Sequence, residues 1–290
     1  MSKMQGVVKA DFYPLDKITD DDVNVMHSVF VKYYHNANYK TFVQDLRKKI
    51  GAILIKKVDD GTIVGFSTIG IIKKEINKKK CLGIFSGDTV IEKEYWGLPN
   101  LQTEFLRFMV KTRIKNPLTN IYWFLISKGY KTYLLMANNW ANYYPRYDKN
   151  DDEKRKSIVK TFSNHFFEGY YDEDTGLLKF GDDYQRLKED VAEITEDMKK
   201  KYPKISFFEE VNPTWREGTE LPCIGDISWS FILWRPIPFA FRKLRNKIFR
   251  SRSREQIKKL KQDTEKELTK VCDVLQPQVK TMIRKTQQEI

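Results

Sequence analysis

A short polar stretch at residues 86–89 (Ser-Gly-Asp-Thr) lies between apolar runs. A carboxylate with apolar neighbours is a group whose proton affinity a protein can tune for general-base chemistry, so Asp88 is the candidate base. The alternative is a structural carboxylate that accepts hydrogen bonds from the hydroxyl of Ser86 or Thr89. The sequence leaves both interpretations open.

A second polar region lies at residues 138–147, where Asn, Trp, Tyr, Pro and Arg are closely interleaved. The planar guanidinium of Arg146 could bind a carboxylate or phosphate of a small acceptor. Tyr144 and Ser86 complete the candidate substrate-binding residues. The alternative for this region is a turn in which Asn and Pro residues set the backbone geometry.

Positive charge is concentrated near the C-terminus. The 290-residue chain has a formal net charge of +13, and residues 235–261 hold eleven Lys/Arg against one acid, Glu255. On a helix, Phe241, Leu244 and Ile248 would share one face, which is typical of a helix at the boundary of an anionic membrane. Packing on the protein is one alternative. Contact with nucleic acid is the other, and no recognition module in the sequence supports it.

Cysteine and histidine usage limits the kinds of site. The three cysteines and three histidines are widely spaced, so the sequence predicts neither a disulfide framework nor a metal site. It has no apolar run of about 18 residues and no secretory signal pattern at the N-terminus. We therefore expect a cytoplasmic protein, with peripheral contact to the inner face of the membrane through the basic segment.

Apolar spacing and turn residues predict the elements that position these groups. The first half begins with an extended N-terminal segment, followed by helices at 20–34 and 39–49, a hairpin of strands at 52–58 and 62–69 and a solvated turn at 73–80. It continues with a strand at 82–91, a helix at 101–115, a buried strand at 121–127 and a helix at 130–140. In the second half they are helices at 151–171 and 184–201 and strands at 205–208 and 225–234.

A family resemblance lies between the strand that ends with Val90-Ile91 and the next helix, at residues 96–102 (Trp-Gly-Leu-Pro-Asn-Leu-Gln). With the order of elements, this segment resembles the GNAT superfamily of acyl-CoA N-acyltransferases. In that family a central strand ends with a bulge and a glycine-rich loop opens the next helix. Gly97 matches the position of the loop at which the phosphates approach the backbone closely. Trp96 stands where the family usually has Arg, and Pro99 where it usually has Gly.

The resemblance implies a site for CoA at the start of that helix. Backbone N–H groups and the helix dipole would hold the pyrophosphate. The cofactor-binding residues that it implies are Val90, Ile91, Trp96, Gly97, Asn100, Leu101 and Gln102. It also implies that Tyr133 is the acid that protonates the leaving thiolate, and packing is the alternative for this tyrosine.

Within the superfamily the chain is similar to the long-chain N-acyl amino acid and acyl-homoserine-lactone synthase kind. Residues 121–126 and 133–136 supply apolar side chains that could line an acyl chain beside the parallel strands. The alternative is that they only fill the core.

These observations predict an α/β (α+β) fold of the GNAT-like type, with a mixed, mostly antiparallel central sheet flanked by helices and a helical basic C-terminal extension. Residues 1–150 would form the acyltransferase core, 151–234 helical and strand additions packed on it, and 235–290 a basic amphipathic arm.

The expected activity moves an acyl group from acyl-CoA or an acyl-carrier protein to a primary amine of a small metabolite or lipid precursor. Acyl-CoA would be a co-substrate, with no tightly bound cofactor. The alternative is an inactive GNAT-like binding protein whose basic arm contacts an anionic membrane or nucleic acid.

Overall fold

The structure is a computed structural model that describes residues 7–149, 152–181, 186–187 and 193–234. The basic arm predicted at 235–290 lies outside the described residues. In the part of the chain that is described, no helix is long and apolar enough to cross a lipid bilayer.

A seven-stranded sheet organises the described residues. The strands in chain order are β1 (Val8–Pro14), β2 (Tyr34–His35), β3 (Gly51–Lys57), β4 (Ile63–Ile76), β5 (Lys79–Ile91), β6 (Asn120–Ser127), β7 (Tyr143–Tyr144), β8 (Arg186–Leu187) and β9 (Leu221–Asp226). The central sheet has the order β1-β3-β4-β5-β6-β9-β7, and β2 pairs separately with β8. Within the central sheet β5 and β6 are parallel, and the other neighbouring pairs are antiparallel.

Helices flank this sheet. In chain order the described α-helices are α1 (Asp20–Phe30), α2 (Tyr39–Arg47), α3 (Asn100–Lys115), α4 (Tyr130–Ala137), α5 (Glu153–Phe166), α6 (Glu196–Lys201), α7 (Pro203–Val211) and α8 (Trp229–Trp234). The sequence predicts a mixed, mostly antiparallel sheet flanked by helices, and this prediction is confirmed.

Neighbouring side chains on β6 show that α3 and α5 cover opposite faces of the sheet. The ring of Trp123 lies 5.5 Å from Phe105 of α3, and the ring of Phe124 lies 5.8 Å from Phe162 of α5. Successive side chains of a strand point to opposite faces, so the two helices must lie on opposite sides. Helices α1 and α2 pack with the apolar side chains of β3 and β4 around Phe66.

Side-chain caps fix the starts of the first two helices. The hydroxyl of Thr19 accepts a hydrogen bond from the backbone N–H of Asp22, whose carboxylate accepts one in return from the N–H of Thr19, both at 3.1 Å. This is a capping box, which satisfies donors that the helix itself leaves unpaired. Asn38 caps α2 by accepting from the N–H of Thr41 at 3.2 Å.

The solvated turn predicted at 73–80 is wrong in extent. Strand β4 continues to Ile76 and β5 begins at Lys79, so the turn itself is Asn77-Lys78. The lysines of this hairpin are exposed while Ile72 and Ile76 on the same strand are buried. The polar composition hid this part of the strand, in which only Ile72 and Ile76 are buried and the three residues between them are exposed.

Predictions in the second half are also corrected. Residues 205–208 belong to α7, which starts at Pro203, where a proline suits the first helical turn. The strand predicted at 225–234 is β9 at Leu221–Asp226, and α8 follows it. The helix predicted at 184–201 is replaced by the short β8 and by α6, which starts at Glu196.

The hairpin turn gives a stability prediction. Asn77 and Lys78 have φ of +51° and +59°, the left-handed region that a two-residue type I′ turn requires and that lysine adopts at a cost. We expect Lys78→Gly to raise the free energy of unfolding by about 1 kcal/mol. Asn77→Gly is the control and should change little, because asparagine already tolerates this region. Urea unfolding measures both variants, and a Lys78→Gly variant less stable than the wild type would contradict the prediction.

Candidate active site

Strand β5 carries a β-bulge at the polar stretch. Ser67 of β4 pairs with Thr89, and Ile69 pairs with Ser86. Two residues of β5, Gly87 and Asp88, therefore face a single residue of β4. A bulge of this kind bends the strand and redirects its side chains, and bulges are frequent beside active sites.

The two parallel strands separate at the same place. Their pairing runs from Cys81 with Asn120 to Ser86 with Leu125. Beyond this point β5 continues along β4 to Ile91, and β6 continues along β9. The two strands are therefore no longer paired with each other beyond the bulge, and we call the space between their C-terminal ends the cleft.

A buried ion pair lies beside the cleft. Because Ser127 pairs with Leu221, the residues next to them, Lys128 and Glu220, come opposite each other. The ammonium of Lys128 lies 3.1 Å from the carboxylate of Glu220, and the Glu220 side chain is 1% exposed. Burial raises the pKa of Glu220 to about 7, Lys128 acts to lower it, and the charge of Asp88 adds to the rise.

Tyr34 joins Asp88 to this ion pair. The ammonium of Lys128 lies 5.1 Å from the centroid of the Tyr34 ring. Removal from water raises the pKa of Tyr34, and the charges of Asp88 and Glu220 raise it further. The charge of Asp88 contributes to the raised pKa of both Tyr34 and Glu220, and we call Asp88, Tyr34, Lys128 and Glu220 the carboxylate cluster. It joins the bulge of β5, the end of β6, the start of β9 and β2.

The bulge itself packs against a second buried polar group. A Cβ atom on Gly87 would lie 2.5 Å from the hydroxyl oxygen of Thr68 and 3.2 Å from Cε of Lys49, so the close approach requires glycine. The Lys49 side chain is 2% exposed, and its ammonium lies 2.8 Å from the carboxylate of Asp45 and 5.1 Å from the ring centroid of Phe85. The buried Thr68 hydroxyl has no hydrogen-bond partner among the described residues.

The start of α3 lies at the end of the segment that follows β5. Gly97 has φ of +83°, and nothing lies within 4 Å of the position that its Cβ would take. Pro99 is the N-cap residue, and no side chain caps the helix within the described residues. The first N–H groups of a helix lack intrahelical acceptors, so this end can attract an anion.

Other residues predicted for the CoA site have partners in the protein. The indole N–H of Trp96 donates to the carbonyl of Ile91 at 2.6 Å, and the Asn100 side chain donates to the carbonyl of Val8 at 2.8 Å. Val90 and Leu101 are buried, and Gln102 is half-buried. Their assignment to a CoA site stays a prediction.

The predicted substrate-binding residues are spread over two places. Ser86, beside the bulge, accepts a hydrogen bond from the indole N–H of Trp123 at 2.8 Å. The guanidinium of Arg146 donates two hydrogen bonds to the carboxylate of Asp148, with N–O distances of 2.7 and 2.6 Å. Arg146 and Tyr144 also line a surface cavity of about 220 Å³. The described contacts of Arg146 are with Asp148, with the carbonyl of Ala141 and with the ring of Tyr143, and none is with the carboxylate cluster.

Tyr133, the predicted acid, is fully buried between α4, α7 and β7. Its hydroxyl donates to the carbonyl of Pro145 at 3.2 Å, and its ring lies 5.9 Å from that of Phe208. Burial raises the pKa of Tyr133, with Tyr143 as the next contributor. These contacts are those of a core side chain, and the acid role stays a prediction.

Sequence reasoning missed Glu220, Lys128 and Lys49. Lys128 directly follows the long apolar run of β6, and Glu220 directly precedes the apolar start of β9. A charge at the end of a buried strand was therefore the available signal. The error in the bounds of β9 removed Glu220 from consideration.

Comparisons with known proteins give matches among solved structures alone. No family model matches the chain, and a search of curated proteins found no match. A conserved protein of unknown function from Enterococcus faecalis is 10% identical with a TM-score of 0.35, covering 46% of this chain and 33% of that one. This chain thus spans about a third of the length of that protein.

Two further similar structures are acetyltransferases. The Escherichia coli GNAT-family N-acetyltransferase YhbS, in complex with CoA, is 9% identical with a TM-score of 0.32, covering 44% of this chain and 67% of that one. A Trypanosoma brucei acetyltransferase is 14% identical with a TM-score of 0.33, covering 50% of this chain and 99% of that one.

The buried Glu220 gives a pH prediction. Its pKa rises from 4.5 to about 7 in the folded protein, so the folded state holds the proton more tightly than the unfolded state. The stabilisation from this proton is complete below about pH 4.5 and is lost as the pH rises through about 7. Relative to Glu220→Gln, which does not titrate, the wild type should lose on the order of 3 kcal/mol across this window.

Urea unfolding of both proteins between pH 4.5 and pH 8 measures this difference. Glu217→Gln is the control, because Glu217 is an exposed glutamate near the same strand. Parallel stability curves for the wild type and Glu220→Gln would contradict the assignment.

Proposed function

We propose that the chain is an N-acyltransferase that transfers an acyl group from an acyl-CoA thioester to a primary amine. The observation that carries the proposal is the separation of parallel strands β5 and β6 at the Gly87-Asp88 bulge. Past Ser86, no strand in the described part of the chain pairs with the edge of β5 that faced β6. An extended ligand with amide groups, such as the pantetheine of CoA, can pair with a free strand edge.

The start of α3 supports the same proposal for the phosphate end of CoA. Gly97 leaves open space beside the first turn, and the helix is 16 residues long. Helix N-termini attract phosphate through unpaired N–H groups and the helix dipole. Because α3 is reached directly from the end of β5, one ligand could extend from this turn into the cleft.

The carboxylate cluster supports the chemical step. An amine acceptor must lose a proton before it attacks a thioester, and a base with a pKa near the working pH does this best. Burial brings the pKa of Glu220 to about 7, and Asp88 is close enough to contribute to that shift. We therefore assign proton removal to the pair, with half-buried Asp88 at the cleft and Glu220 behind it. Tyr133 would have to release its hydrogen bond to Pro145 to act as the acid.

The length of the acyl chain and the nature of the carrier are open parts of the proposal. Similarity to the long-chain kind rested on apolar residues of β6 and α4. The rings of Tyr122, Trp123 and Phe124 pack against aromatic side chains of α3, α5 and the residues after α4. They support a core role, so the long-chain proposal needs a direct test. Contact of the basic arm with a membrane rests on the sequence of the arm alone.

A specific observation favours the second candidate, an inactive GNAT-like binding protein. Pro99 occupies the N-cap of α3, and proline has no N–H to offer a phosphate. Trp96 is hydrogen bonded back to Ile91 and does not supply the positive charge that an arginine would. If both changes abolish CoA binding, the cleft has no donor substrate.

Calorimetric titration of the purified chain with acetyl-, octanoyl- and palmitoyl-CoA tests the proposal. We expect binding by the wild type and an affinity about tenfold lower in Gly97→Asp, because a carboxylate at this turn would repel the pyrophosphate. Gly97→Asn is the matched control: it has the same shape, tolerates positive φ and carries no charge. Affinity that increases along the series would favour the long-chain kind.

Thiol release with a panel of primary amines then measures transfer itself. Asp88→Asn and Glu220→Gln should each lower turnover at pH 7 by about a hundredfold, the size of a lost general base. No binding of any CoA thioester would contradict a CoA donor. Binding without transfer to any amine would support the inactive binding protein.

A further inference from the structure

Lys128 is an amine that lies within the proposed acyl-transfer site. The last parallel pair joins Ser86 and Leu125, and Lys128 lies three residues after Leu125, directly after the end of β6. On the other side of the cleft, Asp88 follows Ser86 by two residues. The Lys128 ammonium lies 5.1 Å from the centroid of the Tyr34 ring, and the charge of Asp88 contributes to the raised pKa of the same tyrosine.

Lys128 is also paired with a group that can take its proton. Its ammonium lies 3.1 Å from the Glu220 carboxylate, which is almost fully buried. Burial disfavours charged forms, so passing the proton from Lys128 to Glu220 exchanges a buried ion pair for a neutral amine and a neutral acid. A neutral lysine amine beside a carboxyl group is an activated nucleophile.

Lys128 can be reached by a small group. Its side chain is 16% exposed, whereas that of Lys49, the other lysine at the bulge, is 2% exposed and is held by Asp45. A thioester bound along the edge of β5 beyond Ser86 would bring its carbonyl carbon to the side of the cleft where Lys128 lies. Of these two lysines, Lys128 is therefore the one that a bound thioester can reach.

We propose that Lys128 is itself an acyl acceptor, so that the chain acylates its own active-site lysine. This inference rests on the proposed function. Glu220 takes a proton from the Lys128 ammonium, and the amine nitrogen then forms a bond to the thioester carbonyl carbon. The carbon–sulfur bond breaks and the CoA thiolate leaves. The nitrogen loses its second proton to this thiolate, directly or through solvent, and Glu220 later releases the first proton to solvent. The product is an amide on Lys128 and free CoA.

Acylation of Lys128 would inhibit acyl transfer to external amines. An amide at Lys128 has no charge, so Glu220 loses its ion pair and its carboxylate form becomes harder to bury. The acyl group would also occupy the cleft next to Asp88. We therefore expect turnover of an external amine to decline as Lys128 becomes acylated, and the decline to be absent in Lys128→Arg, which keeps the positive charge and is not acylated.

Mass spectrometry of the full chain incubated with acetyl-CoA tests the inference. We expect a gain of one acetyl group, mapped by peptide analysis to Lys128, at a rate at least tenfold above that of exposed Lys17 and Lys78 in the same sample. Glu220→Gln should lower the rate at Lys128 at least tenfold and leave the rates at the exposed lysines unchanged. Acetylation of Lys128 no faster than of Lys17 and Lys78 would overturn the inference.

A second thioester separates this inference from the proposed function. S-acetyl-N-acetylcysteamine has the thioester without the nucleotide, so it needs no phosphate site. If the chain binds no CoA but this reagent acetylates Lys128 faster than Lys17 and Lys78, the result would support the reactive lysine and contradict the CoA donor. CoA binding with transfer to external amines, but without acetylation of Lys128 by either thioester, would overturn the inference alone.

Discussion

The candidate site depends on one packing constraint, the contact of the β5 bulge with β4. Two residues, Gly87 and Asp88, face one residue of β4, and the space at Gly87 is filled by the hydroxyl of Thr68 and the stem of Lys49. A Cβ atom at Gly87 would force the Thr68 side chain to move. The contact keeps β5 on β4 while β6 turns to β9, and this difference in partners opens the cleft.

The energetic cost of the site is concentrated in Glu220. Burial of a carboxyl group is unfavourable, and a pKa of about 7 is the sign of that cost. Lys128 offsets part of it as an ion pair, while Asp88 adds to it. An active site often keeps such an unfavourable arrangement because a poised proton acceptor is useful there. The groups of the cluster lie at the ends of separate strands, and the rigid sheet fixes their positions there.

Local patterns in the sequence predicted the sheet class, the first five helices and the polar break at residues 86–89. They did so because caps, apolar spacing and a polar interruption are signals within a few residues. Patterns failed where a structure depends on distant pairing. Glu220 meets Lys128 because of the register between β6 and β9, and no local signal carries that register. Arg146 was assigned to a site by its residue type and Tyr133 by the family resemblance, and the structure gives Asp148 and Pro145 as their partners.

The central claim is that the cleft between β5 and β6 receives the thioester end of CoA. A crystal structure of the full chain with a non-hydrolysable CoA thioether analogue tests it most directly. The account predicts density for the pantetheine along the edge of β5 beyond Ser86, with the pyrophosphate at the first turn of α3 beside Gly97. Density for the analogue at another surface, with β5 and β6 unchanged and the cleft empty at saturating concentration, would contradict it.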